Sequence, residues 1–159
     1  MKKIYSLVIL AITLFTLKGF GQDSTKQSQL SQLLPEYYDI KDALIAGNTV
    51  TASLKAADFV QHLNEIDSKV IPQENSNALL KDANHILGSK DIKQQREHFA
   101  NFSTNMFALA KSVKLTSDLI YEAYCPMKKA YWLSNEKAIK NPYFGSAMLT
   151  CGSIKETLK

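Results

Sequence analysis

Apolar side chains recur every three or four residues through the middle of the chain, which is the spacing of one face of an α-helix. The first predicted helix begins near Leu30 and stops at Gly47. The second can be capped by Asn48 or Thr49 and ends before Ile71-Pro72, because the residue before a proline disfavours the helical conformation. This part of the chain is therefore predicted to form two helices joined by a tight turn.

Two further helices follow. The third is predicted from about Asn75 to Leu87, with Gly88 at its end. Asp91 is a suitable N-cap for the fourth helix, whose apolar stripe is the most regular in the chain and consists of Ile92, Phe99, Phe102, Met106, Leu109, Ala110 and Val113. Four helices joined by loops of a few residues favour an antiparallel up-and-down four-helix bundle.

After Lys114 the pattern changes. Residues 119–125 and 130–133 are short, rich in aromatic side chains and weakly alternating, as extended segments are. A tight turn with proline at its second position joins them. We therefore predict a mostly α protein, in which the bundle ends in a small irregular or β-hairpin C-terminal cap that carries both cysteines, Cys125 and Cys151.

Residues 1–21 have the character of a signal peptide, because two lysines precede an apolar run of 14 residues and small residues precede Gln22. That run is shorter than the ~20 residues that span a bilayer, so we expect no stable membrane insertion after cleavage. Residues 22–29 are polar and are interpreted as a disordered linker, and residues 30–159 as a single helical domain. The protein is expected to be periplasmic or otherwise exported.

The charge of the chain does not indicate a nucleic-acid partner. The formal net charge is +4, but three of the lysines lie in the predicted signal peptide, which has no acidic residue. The remaining sequence has 16 basic and 15 acidic residues. With 45% hydrophobic and 21% charged residues, the composition is that of a globular protein, and we expect no binding to nucleic acid.

Four sulfur-containing side chains near the C-terminus are the main chemical lead. Cys125 and Met127 are two apart on an extended segment, and Met148 and Cys151 are three apart on a predicted helical turn, so each pair presents two sulfurs to one side. Thiolate and thioether ligands select soft ions such as Cu(I) or Ag(I). Trp132 follows closely and can supply a cation–π contact to a bound ion.

Other interpretations of the same residues stay open. A Cys125–Cys151 disulfide would close a loop of 26 residues and contribute about 3.5 kcal/mol of stability through loop entropy; both methionines can equally fill a core. His98 flanks the stripe of the fourth helix, where a hydrogen-bonded edge residue competes with a metal or proton role. The sequence contains no HExxH, CxxC or glycine-rich phosphate loop, and we expect no enzymatic activity.

Six short segments, taken in order, carry a family resemblance: Lys41–Leu44, Gln95–Phe99, Tyr124–Met127, Tyr131–Ser134, Asn141–Gly145 and Met148–Gly152. Together they resemble the signature of the DUF3347 family over about residues 30–158. The function of that family is unknown. The resemblance implies an exported domain that also occurs as a tail on periplasmic adaptor subunits of copper and silver efflux pumps.

The resemblance supplies a setting for the sulfur ligands. It implies Cys125, Met127, Met148 and Cys151 as the ligand set, with His98 as a fifth candidate. We therefore expect a free-standing periplasmic carrier or buffer of Cu(I) or another soft ion, linked to a heavy-metal efflux complex or its adaptor, with no other cofactor. The alternative is a non-enzymatic structural or protein-interaction domain stapled by a Cys125–Cys151 disulfide.

Overall fold

The computed structural model describes residues 28–159. The predicted signal peptide, residues 1–21, lies outside the described residues, as does most of the predicted linker at 22–29. The last part of that linker, from residue 28, has helical backbone that continues to Leu30. The described chain is mostly helical and ends in a small antiparallel sheet.

Four helices occupy the N-terminal two thirds of the described chain: α1 (Leu33–Ala46), α2 (Thr49–Glu65), α3 (Gln73–Gly88) and α4 (Ile92–Ser112). Their ends follow local sequence signals. Gly47 closes α1 with a left-handed φ of 71°. The Asn48 side chain accepts the Thr51 N–H at 3.0 Å, and the Asp91 side chain accepts the Lys93 N–H at 2.8 Å. The four predicted helices and these caps are confirmed.

The helix boundaries differ from the predicted ones around the second loop. The α2 helix ends at Glu65, because Ile66 adopts an extended conformation with ψ of 131°. The apolar side chain of Ile66 still packs against the core, so its place in the hydrophobic pattern reflects burial and not helical backbone. The α3 helix begins immediately after Pro72, whose φ of −53° suits a helix start.

Three strands form the C-terminal sheet: β1 (Ile120–Cys125), β2 (Ala130–Ser134) and β3 (Ser153–Leu158). The central strand β1 pairs antiparallel with both neighbours, in the order β2-β1-β3. The β1–β2 hairpin was predicted, whereas β3 was not, and the C-terminal cap is a sheet of three strands instead of a hairpin alone. The β3 strand lies at the edge of the sheet, and its residues alternate between exposed and half-buried positions. Its sequence therefore has no strong apolar pattern from which a strand could be predicted.

Tyr37 of α1 connects the helices to the sheet. Its fully buried hydroxyl lies 2.7 Å from the Ser103 hydroxyl of α4 and accepts the backbone N–H of Leu133 in β2 at 3.0 Å. Its ring stacks on Phe99 of α4, with the ring centroids 5.2 Å apart. The α1, α4 and β2 elements therefore meet in one polar contact inside an aromatic core, and this contact holds the sheet against the helices.

Consecutive helices pack on each other, α1 on α2, α2 on α3 and α3 on α4, while β2 packs on α4. Within residues 28–159, no helix combines the length and the apolar character that crossing a membrane requires.

Candidate metal-binding site

Two loops lie side by side at one end of the sheet. The hairpin turn, residues 126–129, joins Cys125 to Ala130, the last residue pair of the β1–β2 ladder. It is closed by the Lys129 N–H, which donates to the Cys125 carbonyl at 2.8 Å, and Lys129 has a left-handed φ of 57°. The cysteine loop, residues 141–152, leads into β3, where Ser153 pairs with Tyr124. Strand pairing thus brings the two loops together.

The two cysteine side chains lie near each other on these loops. Cys125 is fully buried at the end of β1, and Cys151 is half-buried just before β3. Both are free thiols. The Cys151 thiol lies close enough to the Cys125 thiol for the two groups to influence each other's protonation, so the fold brings together sulfur atoms from two distant stretches of chain.

Backbone N–H groups of the hairpin turn lie near both sulfurs. The Lys128 N–H donates to Cys125 Sγ at 3.4 Å, and the Met127 N–H lies close enough to Cys151 to stabilise its thiolate form. Burial and the adjacent Cys125 thiol raise the pKa of Cys151, and the Met127 N–H partly offsets that increase in pKa. Burial therefore favours the protonated form of Cys151, while the backbone N–H groups of the hairpin turn are placed to stabilise thiolate charge.

Both predicted methionine ligands lie on the same two loops. Met127 is in the hairpin turn and is 64% exposed. Met148 is half-buried, and its carbonyl accepts the Cys151 N–H at 3.0 Å, which places it one turn before that cysteine. The backbone of each methionine thus lies near Cys151, and the role of the two thioethers as ligands stays a prediction.

Trp132 lies in the core beneath the cysteine loop. Its side chain is 1% exposed and meets the Tyr143 ring edge-on at 6.1 Å between centroids. A Cβ added to Gly152 would lie 2.6 Å from the Trp132 ring and 3.0 Å from the Tyr124 carbonyl. Glycine is required there because the loop passes directly over the indole, which therefore supports the loop from below. The cation–π role of Trp132 stays a prediction.

The fifth candidate ligand, His98, packs against α3. Its ring stacks on His85 of α3, with the centroids 4.1 Å apart and the planes 8° from parallel. Across residues 28–159, no group of three or more His, Cys, Asp or Glu side chains is arranged to hold a metal ion. The two thiols are therefore the only anionic ligands that this arrangement unites in the described part of the chain.

Sequence reasoning missed the role of Asn141, which it named only as the first residue of a segment that carries the family resemblance. The residue is completely buried, and its side-chain amide donates to the Cys151 carbonyl at 2.7 Å. Its side-chain oxygen accepts the Tyr143 N–H at 2.8 Å. Asparagine characteristically bonds the backbone two residues ahead, so the local turn was readable from sequence, whereas the bond to Cys151 was not.

Comparison with protein families gives one match, over residues 33–118, to a family described as a protein of unknown function (DUF3347). The matched range covers α1 to α4 and ends before β1. Comparison with curated proteins gives no match, and comparison with solved structures gives none either.

Proposed function

Because this chain belongs to the DUF3347 family, whose description names no function, we propose a function from the site itself. The protein binds a soft monovalent cation, Cu(I) or Ag(I), through the thiolates of Cys125 and Cys151. One observation carries the proposal: the two thiols lie close together beside the same hairpin turn, whose Lys128 N–H donates to the Cys125 sulfur at 3.4 Å. Hydrogen bonds from main-chain N–H groups stabilise negatively charged sulfur, which is the form that a metal ligand needs.

The ligand set favours soft ions. Two thiolates more than neutralise a monovalent cation, and the neutral thioethers of Met127 and Met148 can complete its coordination without adding charge. Zn²⁺ prefers four ligands drawn from Cys, His and carboxylates. A pair of thiolates without further anionic partners in the described chain is therefore a poor site for Zn²⁺.

The position of the site supports a carrier or buffer and not an enzyme. Met127 is largely exposed, so a partner can reach the ion at the hairpin turn, and ligand exchange can begin there. We propose that the protein is exported to the periplasm and passes its ion to a heavy-metal efflux complex or its adaptor. Trp132 would contribute from beneath the loop, while His98, stacked on α3, is a weaker candidate ligand.

The proximity of the two free thiols also favours a second candidate. Oxidation would convert Cys125 and Cys151 into a disulfide that links the end of β1 covalently to the start of β3. The protein would then be a non-enzymatic structural or protein-interaction domain. In that case the N–H donors would have no anionic sulfur to stabilise, which is why the metal-binding proposal is preferred.

We also propose that α1 to α4 run alternately up and down as an antiparallel four-helix bundle, with the cysteine-containing cap at one end. The support is that successive helices pack on each other and that only short segments join them.

The test is a titration of the reduced protein with Cu(I) under anaerobic conditions, in competition with a chromophoric Cu(I) chelator. We expect one Cu(I) per chain and a Cu(I)–thiolate absorption band in the ultraviolet. Zn²⁺ in a parallel titration is the matched control and is expected to bind far more weakly. If reduced protein leaves all Cu(I) with the chelator, while protein from the periplasm has lost two hydrogens by mass, the disulfide candidate replaces the metal-binding proposal.

Cu(I) affinity is expected to rise with pH. The pKa of Cys151 is raised above its ordinary value, so at neutral pH the ion must displace a proton from the thiol. Between pH 6 and 8, below the ordinary thiol pKa of about 8.5, the affinity should increase about tenfold per pH unit for each proton released. Competition titrations at three pH values measure the slope, and a pH-independent affinity would mean that the thiols are not the ligands.

A further inference from the structure

We infer that Asn141 is the positioning residue of the thiol pair: its side-chain amide holds Cys151 so that its sulfur faces Cys125. The inference deepens the proposed function, because it concerns the same site and rests on that function wherever an ion is involved. The position of the Cys151 thiol relative to Cys125 does not depend on metal binding, and this part of the inference can be tested without an ion.

Asn141 organises the cysteine loop from inside. Its side-chain oxygen accepts the N–H groups of Tyr143 at 2.8 Å and of Phe144 at 3.3 Å. Its own backbone N–H donates to the Leu149 carbonyl at 2.8 Å, and its carbonyl accepts the Gly145 N–H at 3.0 Å. The first two bonds use the acceptor side of the side-chain amide, and together with the two backbone bonds they close the loop on itself.

The donor side of the amide restrains the backbone of Cys151. The Asn141 Nδ2 group donates to the Cys151 carbonyl at 2.7 Å, and the Cys151 N–H donates to the Met148 carbonyl at 3.0 Å. Both backbone polar groups of Cys151 are therefore held, and the position of its sulfur depends only on the rotation about Cα–Cβ. The ladder between β1 and β3 begins only at Ser153, so strand pairing does not provide this restraint.

The two sides of the amide can be separated by substitution. Asn141→Asp keeps an oxygen for the Tyr143 and Phe144 N–H groups, but it replaces the donor by a carboxylate oxygen that faces the Cys151 carbonyl. Two acceptors then oppose each other in a buried site, and the restraint on Cys151 is lost. Asn135→Asp is the matched control, since Asn135 is exposed and lies outside the cysteine loop.

The experiment measures the effective concentration of one thiol at the other. The reduced protein is equilibrated with glutathione and glutathione disulfide; protein disulfide formation removes two electrons and two protons from the thiols and yields two molecules of glutathione. We expect Asn141→Asp to lower the effective concentration about 10-fold or more and to lower the Cu(I) affinity within the range of about 10- to 100-fold typical of groups that orient metal ligands. Asn135→Asp should change neither quantity.

The outcomes separate the inference from the proposed function. A lowered effective concentration in a protein that binds no Cu(I), even in its natural sequence, supports the role of Asn141 and overturns the metal-binding proposal. An unchanged effective concentration in a folded Asn141→Asp variant overturns the role of Asn141, whatever the protein binds. Should Asn141→Asp not fold, Asn141→Ser, which retains a turn-forming oxygen without the long donor arm, is judged by the same two criteria.

Discussion

Replacing Cys125 or Cys151 by serine is expected to lower the Cu(I) affinity by more than about a hundredfold, since losing a group that merely orients a ligand already costs about 10- to 100-fold. A serine hydroxyl is a hard and weakly acidic donor, so either variant leaves a single thiolate for a soft ion. The two thiols lie close together, and we expect their individual substitutions to have similar effects. Competition titration with the same chelator measures both.

Methionine variants are the controls for this result. Met127→Leu and Met148→Leu remove one thioether each but keep the thiol pair, so their losses of affinity should be clearly smaller. Circular dichroism of all four variants checks that the helices persist. Full Cu(I) affinity in a folded Cys151→Ser variant would refute the thiolate site.

Trp132→Ala is expected to reduce the free energy of unfolding by about 3–5 kcal/mol, the usual cost of removing a large buried aromatic side chain. The indole is almost completely buried, contacts Tyr143 edge-on and supports the cysteine loop at Gly152. A cavity at this position would loosen the loop as well as the core. Urea unfolding monitored by circular dichroism measures the free energy of unfolding. The effective concentration of one thiol at the other should also decrease in the same variant.

Tyr131→Ala is the matched control, because the two residues are neighbours in β2 and Tyr131 is 39% exposed. The Tyr131 ring packs against Tyr124, with centroids 4.7 Å apart, and such a pair contributes about 0.5–1.5 kcal/mol. Equal losses of stability in the two variants would contradict the role of Trp132 as the support beneath the site.

The helices could be predicted because their signals are local. Gly47, Asn48 and Asp91 act on backbone groups within a few residues of themselves, and the apolar spacing repeats within each helix. The β1–β2 hairpin was accessible for the same reason, since its turn and both strands are adjacent in sequence. The membership in the family follows from this helical part, where the match lies.

The third strand and the direction of His98 could not be predicted in this way. The β3 strand pairs with β1 across almost 30 intervening residues, and a short edge strand has little apolar pattern of its own. His98 was placed correctly beside the core stripe of α4. Its partner is His85 of α3, however, because helix periodicity identifies a face without identifying what packs against it.

By itself, the sequence determined the number of helices, the caps at Gly47, Asn48 and Asp91, the hairpin and the type of side chain available for soft-ion chemistry. Only the tertiary structure decided that the Cys125 and Cys151 sulfurs lie close together, that a main-chain N–H of the hairpin turn donates to Cys125, and that Asn141 bonds the Cys151 carbonyl. The reason is physical. Helix formation depends on neighbours along the chain, whereas contact between two loops depends on strand register and on packing over a buried indole.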